Sequence, residues 1–183
     1  MIEVLFLDFD GVLNTGSYQD LLLSQGKPGR DSFGQLFDPE AVGNLKRILD
    51  AVTDARIVII SSWKAMGMDH LRRMWKERSL PGELYDATPD IFNEELLTVD
   101  LSDPESIRKV EGLGKGREIS AWLKRNGGRD CRFVILDDLA EFSGELAGHH
   151  VLIRPDYGIT GEDAEIAIAI LNLKNTREDE QAT

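Results

Sequence analysis

Cysteine is almost missing from the chain: Cys131 stands alone among 183 residues. One cysteine cannot close an internal disulfide, so a reducing cytoplasm is the expected setting. Basic residues are in deficit, 21 against 33 acidic ones for a net charge of -12. That balance favours solubility and works against long-range attraction to phosphate backbones, so a nucleic-acid partner would need a local basic patch. Only Arg72, Arg73, Lys76 and Arg78 beside Trp75 cluster, and such a group also reads as the solvated face of a helix. No run interleaves aromatic and basic residues as single-strand binders do. Long apolar runs are missing too, so no membrane span is expected. Met1-Ile2-Glu3 lacks the basic start and apolar stretch of a signal peptide.

What is present is enough apolar sequence, 42%, for one sizeable core but not for two comfortable domains. We expect a single domain over residues 1–175, followed by a polar, frayed tail at 176–183. Ile2 to Leu7 is nearly all apolar and stops at Asp8, which reads as a central strand buried on both faces. Ile57 to Ile60, Phe133 to Leu136 and the short Val151 to Ile153 repeat the pattern. Helical patterns separate them. Asp38-Pro39 starts one with Val42, Leu45, Ile48, Leu49 and Val52 on its apolar face. A second runs from about Lys115 to Arg125, buries Ile119, Trp122 and Leu123, and ends at Asn126-Gly127-Gly128. A third starts at Thr160 with Asp163 as a weak capping box and buries Ile166, Ile170 and Leu171. Short apolar strands alternating with helices predict an α/β fold with a central parallel sheet. Asn14 to Phe37 and Leu80 to Gly114 lack clear periodicity and read as loops at a sheet edge, the second with room for a short helix or hairpin.

The ends of these elements carry the polar residues. Asp8 and Asp10 follow the first strand, Ser61 the second and Asp137 with Asp138 another, while Lys115 opens a helix. In an open parallel sheet ligands bind beyond the carboxyl ends of the strands, so these residues converge there. Any one Asp after a strand is readily explained as a turn or cap residue; the convergence of several is what points to a site. Asp8 and Asp10 are two apart in an extended segment and face the same way, toward one substrate. Two such anions repel unless a cation intervenes, and hard oxygen ligands with room for water and phosphate suit Mg²⁺. Gly11 lets the chain turn sharply behind the pair and removes side-chain bulk where backbone amides approach phosphoryl oxygens.

Asp8-Phe9-Asp10-Gly11-Val12-Leu13-Asn14 resembles the first motif of the haloacid dehalogenase (HAD) superfamily of aspartate-nucleophile phosphatases. Ile57-Val58-Ile59-Ile60-Ser61 resembles the second motif, Gly114-Lys115-Gly116 the third, and Phe133-Val134-Ile135-Leu136-Asp137-Asp138 the fourth, in that order. Ser61-Ser62-Trp63-Lys64, Arg117-Glu118-Ile119 with Trp122, and Gly158-Ile159-Thr160 resemble a subgroup found beside RNA-repair enzymes. The resemblance implies a three-layer, Rossmann-like HAD fold. The short interval after the first motif and the modest one after the second imply a minimal cap or none.

For the residues, it implies that Asp8 attacks phosphorus and forms an aspartyl-phosphate. Asp10 gives a proton to the leaving oxygen, takes one from water, and binds the metal through its backbone carbonyl. Ser61 bonds a phosphoryl oxygen, Lys115 neutralises charge on the nucleophile and phosphoryl group, and Asp137 binds Mg²⁺ directly or through water. Asp138 either supports the metal or caps the next helix. Ser62 is an alternative to Ser61, and Arg117 to Lys115. Trp63 and Lys64 directly follow the second motif, and their position reads equally as lining the substrate mouth or as ordinary packing and surface. Trp122 reads as packing, and His149 and His150 as surface residues. Asp86, Thr88 and Asp90 read as part of a loop containing Pro89. An open site favours a phosphorylated macromolecular end, in particular a polynucleotide 3'-phosphate. A small-molecule or nucleotide phosphatase is the alternative, and a binding module without turnover is the alternative of another class. Neither a membrane nor an obligate protein partner is expected.

Overall fold

A computed structural model of the chain describes residues 2–91, 102–127, 130–139, 142 and 144–173. The elements run β1 (Ile2–Leu7), α1 (Gly16–Ser24), β2 (Arg30–Asp31), β3 (Gly34–Gln35), α2 (Pro39–Ala51), β4 (Arg56–Ile59), α3 (Met68–Glu77), β5 (Leu84–Ala87), α4 (Pro104–Asn126), β6 (Cys131–Asp137), β7 (His150–Leu152) and α5 (Gly161–Asn172). Two 3₁₀ turns, Ser62–Met66 and Gly144–His149, join them.

Among the described residues, five strands make one parallel sheet in the order β5-β4-β1-β6-β7, and β2 pairs with β3 in a separate antiparallel hairpin. Successive side chains on a strand point to opposite faces, and β1 shows what that does here. Leu5 and Leu7 pack into the cluster formed with α2, α3 and α5, whereas Val4 and Phe6 pack into the one formed with Ile119 and Trp122 of α4. Helices therefore cover both faces, giving three layers. From β1 the chain steps outward through β4 and β5, then returns to the other side of β1 with β6 and β7. The order reverses between β1 and β6, and in such sheets the crevice at the carboxyl ends beside that reversal is where ligands bind.

Local chemistry accounts for the ends of the elements. Asp38 accepts the Glu40 N–H at 2.9 Å and caps α2, with Pro39 inside the first turn. Asp103 and Pro104 repeat this at α4, where Asp103 accepts the Glu105 N–H at 3.2 Å. At α5 the Thr160–Asp163 capping box is reciprocal, with the Thr160 N–H donating to Asp163 Oδ2 at 2.8 Å and the Asp163 N–H to Thr160 Oγ1 at 3.3 Å. Gly127, at φ 125°, closes α4 where the sequence predicts an end.

Several expectations need correcting. The helix expected from about Lys115 begins at Pro104, so Lys115 lies well inside α4 and does not open it. The stretch expected as a loop from Leu80 to Gly114 contains an edge strand, β5, and the first half of α4. Asn14 to Phe37 holds α1 and the β2–β3 hairpin. In α5 it is Ala164, Ala167 and Leu171 that are buried, while Ile166 is 43% exposed. The small alanines suit the side packed on α2. His149 and His150 are half-buried, with His149 stacked on Phe133 at 4.1 Å between ring centroids. Gly128 and the tail at 176–183 lie outside the described residues. No described helix is long and apolar enough to cross a membrane.

Candidate active site

The β1–β6 pairing sets Leu7 beside Leu136, and the Asp8 N–H then donates to the Leu136 carbonyl at 3.1 Å. Asp8 and Asp137 are thereby delivered to the same end of adjacent strands, both buried. On the other side of β1, Leu7 pairs with Ile59 and accepts the Ile60 N–H at 3.0 Å, which brings Ser61 to the same edge. Ser61 is fully buried and caps the following 3₁₀ turn, accepting the Trp63 N–H at 3.3 Å.

Lys115 reaches this edge from the helical layer. It is spaced i, i+4 and i+7 with Ile119 and Trp122, so it shares the stripe that α4 presents to the sheet. Its Nζ donates to Asp137 Oδ2 at 2.7 Å and also to Asp8 Oδ2. The remaining carboxylate oxygens are held by backbone: Asp8 Oδ1 accepts the Phe9 N–H at 2.7 Å and Asp137 Oδ1 the Leu139 N–H at 2.9 Å. Arg117, about 200° further round the helix, is exposed.

Asp138 completes the cluster. Asp8, Asp137 and Asp138 each offer a carboxylate oxygen, and these atoms lie within 4.8 Å of one another. Gly11 belongs to the same construction. It sits at φ 72°, and a Cβ there would come within 2.8 Å of Asp138 Oδ2 and 3.0 Å of Pro155. Positive φ and the closeness of the Asp138 carboxylate both call for glycine at this position.

The electrostatics follow from packing like charges in a dry place. Burial raises the Asp137 carboxyl above its ordinary range, Lys115 pulls it back, and Asp8 pushes it up again. Burial works to lower the Lys115 ammonium, but the Asp8 and Asp137 carboxylates reverse this and leave it raised. Three carboxylates crowd around one ammonium here, and a divalent cation offsets the repulsion between such anions. The donors are hard oxygens, so the residues present fit a Mg²⁺-like ion. His150 lies beside this cluster, its Nε2 3.2 Å from the Asp137 carbonyl oxygen. A carbonyl only accepts, so Nε2 carries the proton, and burial holds the imidazole pKa down.

Asp10 stands apart from the three clustered carboxylates. It is exposed, accepts the Asn14 side-chain amide at Oδ1 (2.7 Å) and accepts the Trp63 indole N–H at Oδ2 (3.0 Å). Ser62 and Trp63 line a cleft beside it. Lys64 turns away from that cleft: its nearly buried ammonium meets Glu118 Oε2 at 2.5 Å and Asp90 at 3.2 Å. Thr88 donates to the same Glu118 oxygen at 3.2 Å, and Asp86, in β5, accepts the Trp122 indole N–H at 2.6 Å. The sequence reading passed over Glu118 as a participant, although its position three residues beyond Lys115 puts it on a neighbouring line of the same helix. It also passed over Arg30, Phe33 and Gln35, which sit in an aperiodic segment with no local signal.

The fold and this arrangement of strand-end carboxylates around a lysine define a HAD-type hydrolase domain. Residues 4–164 match the family described as the HAD domain in Swiss Army Knife RNA repair proteins, and the chain belongs to that family. Comparison with curated proteins and with solved structures gave no match.

Proposed function

We propose that the protein is a Mg²⁺-dependent phosphomonoester hydrolase that works through an aspartyl-phosphate on Asp8, with a polynucleotide 3'-phosphate as its substrate. The observation that carries this reading is the Lys115 ammonium held between Asp8 and Asp137, with Asp138 close enough to complete a three-carboxylate cluster. The RNA-repair context of the family supports the choice of substrate.

An Asp8 oxygen attacks phosphorus as the bond to the leaving oxygen breaks, and Asp10 in its acid form gives that oxygen a proton. Asp10 then takes a proton from a water that attacks the same phosphorus, releasing inorganic phosphate and restoring Asp8. Ser61 Oγ already accepts the Trp63 N–H, so its own proton is free to donate to a phosphoryl oxygen. Lys115 offsets charge on the nucleophile and the phosphoryl group. The Asp8, Asp137 and Asp138 carboxylates, with the Asp10 backbone carbonyl, would hold the metal. Bound Mg²⁺ supplies Lewis-acid polarisation and charge neutralisation.

The test is hydrolysis of p-nitrophenyl phosphate with and without Mg²⁺, comparing wild type with Asp8→Asn. We expect turnover only in the wild type with metal. No metal-dependent turnover in the wild type would overturn the enzymatic reading in favour of a binding module.

A further inference from the structure

The β2–β3 hairpin lies beside Asp10 and is fixed in place. Arg78, at the end of α3, donates twice to Asp31, from Nε at 2.9 Å and from Nη2 at 2.7 Å, and its Nη2 also lies 3.3 Å from the Gly34 carbonyl. The Arg78 guanidinium rests over the Phe37 ring, 4.7 Å from its centroid. Gly34, the first residue of β3, sits at φ 128°, and a Cβ there would come within 2.8 Å of the Trp63 ring. The hairpin is therefore laid directly against the indole that holds Asp10.

Between these parts is an open cleft of about 370 Å³ whose lining includes Asp10, Arg30, Phe33, Gln35, Trp63 and Met66. A general acid must reach the leaving oxygen within hydrogen-bond distance. Whatever leaves from phosphorus therefore extends from Asp10 into this cleft. The walls are chemically specific. Phe33 and Trp63 offer aromatic surface and Met66 a polarizable thioether, groups that suit a flat ring. Gln35 has an amide donor and acceptor for a ring edge. Arg30 is exposed, and among the described residues it forms no ion pair. It brings an exposed guanidinium to the cleft in a chain whose net charge is -12. An inorganic or simple alkyl phosphate would leave all of these groups unused.

We infer that this cleft is the leaving-group subsite and that its occupant is a nucleoside, with the base against Phe33 and Trp63 and an adjoining phosphodiester on Arg30. The inference rests on the reading of Asp10 as the acid of a phosphohydrolase. It goes further by assigning recognition to the hairpin, in particular to Arg30 and Phe33.

The experiment uses the full chain with Mg²⁺ and three substrates: a 3'-phosphorylated oligonucleotide, a nucleoside 3'-monophosphate and p-nitrophenyl phosphate. Arg30→Ala is the main variant, since an exposed side chain can be removed without touching the core. The ratio of kcat/KM for the oligonucleotide to that for p-nitrophenyl phosphate should fall about tenfold, and the slope of log(kcat/KM) against log[salt] should weaken by about one. Loss confined to the oligonucleotide identifies a strand end as the occupant. An equal relative loss on the mononucleotide, which has no phosphodiester, would overturn the assignment of Arg30 to one. An unchanged ratio for both nucleotides overturns the subsite. Binding separates this outcome from failure of the hydrolase reading. Fluorescence anisotropy of a labelled, phosphorylated oligonucleotide on Asp8→Asn protein requires no turnover, and adding Arg30→Ala should weaken it about tenfold. Equal affinity with and without Arg30 would overturn the inference even if the wild type hydrolyses phosphate esters.

Discussion

The indole N–H of Trp63 donates to Asp10 Oδ2 at 3.0 Å, and the Asn14 amide takes Asp10 Oδ1 at 2.7 Å, so a residue from the second strand end orients a carboxylate from the first. Trp63→Phe keeps an aromatic ring and removes the donor. Losing one hydrogen bond to a charged group is worth about 1.5 kcal/mol, or roughly tenfold in rate. We predict a fall of that size in kcat on an alkyl phosphate, whose leaving oxygen needs a proton. A much smaller fall is expected on p-nitrophenyl phosphate, whose leaving group does not. Equal losses on both would place the role of Trp63 elsewhere.

Lys64 and Glu118 form a nearly buried pair, with side chains 8% and 13% exposed, one helical turn beyond Lys115. Removing one member of such a pair strands the other, at a cost of about 3 kcal/mol. The Lys46–Asp50 pair on α2 is well exposed, at 61% and 63%, and contributes about 0–1 kcal/mol. Urea unfolding should therefore show Lys64→Met as far more destabilising than Lys46→Met. Equal midpoints would show that the buried pair does not brace α4.

Gly11→Ala meets two obstacles, a φ of 72° and a carboxylate oxygen 2.8 Å from the new Cβ. The backbone penalty is about 1–2 kcal/mol. The crowding should also displace Asp138 from the carboxylate cluster. Calorimetric titration should show Mg²⁺ affinity falling by more than the stability loss alone accounts for, and an unchanged metal affinity would separate Asp138 from the metal.

Burial, the largest cause, pushes the Asp137 carboxyl up from its ordinary value of 3.8 to about 7. Its folded pKa is the higher one, so the stability it contributes is fully present below about pH 4 and is lost as pH rises toward 7. A metal needs the ionised form and reverses the trend. We predict that the rise in melting temperature produced by Mg²⁺ is larger at pH 8 than at pH 5.5, as thermal unfolding at fixed Mg²⁺ would measure. A Mg²⁺ effect that is flat or falls with pH would contradict it.

How much of this could be read from the residues depended on whether each signal was local. The strand ends at Asp8, Ser61 and Asp137 were legible because a run of apolar residues stopping at a polar one is a one-dimensional pattern, and the structure moves those ends by a residue at most. Lys115 was legible as a residue but not as a mid-helix position. The glycines of Gly112-Leu113-Gly114-Lys115-Gly116 disguised α4, although Asp103-Pro104-Glu105 repeats the Asp38-Pro39-Glu40 start of α2. Gly116 packs toward Leu146 and Phe142, which lie at ordinary contact distance, 3.5 and 3.9 Å, from where a Cβ would sit. That is tertiary information. The hairpin was illegible for the same reason. Two-residue strands carry no period, and Arg30 and Phe33 acquire meaning only once Gly34 rests on Trp63.

The most direct measurement is a rapid acid quench during single turnover of a phosphomonoester labelled in its phosphoryl group, followed by peptide mapping. The account predicts transient, hydroxylamine-labile label on the peptide containing Asp8, dependent on Mg²⁺ and absent from Asp8→Asn. Release of phosphate with no labelled protein at any time, or label mapping to another residue, would contradict it.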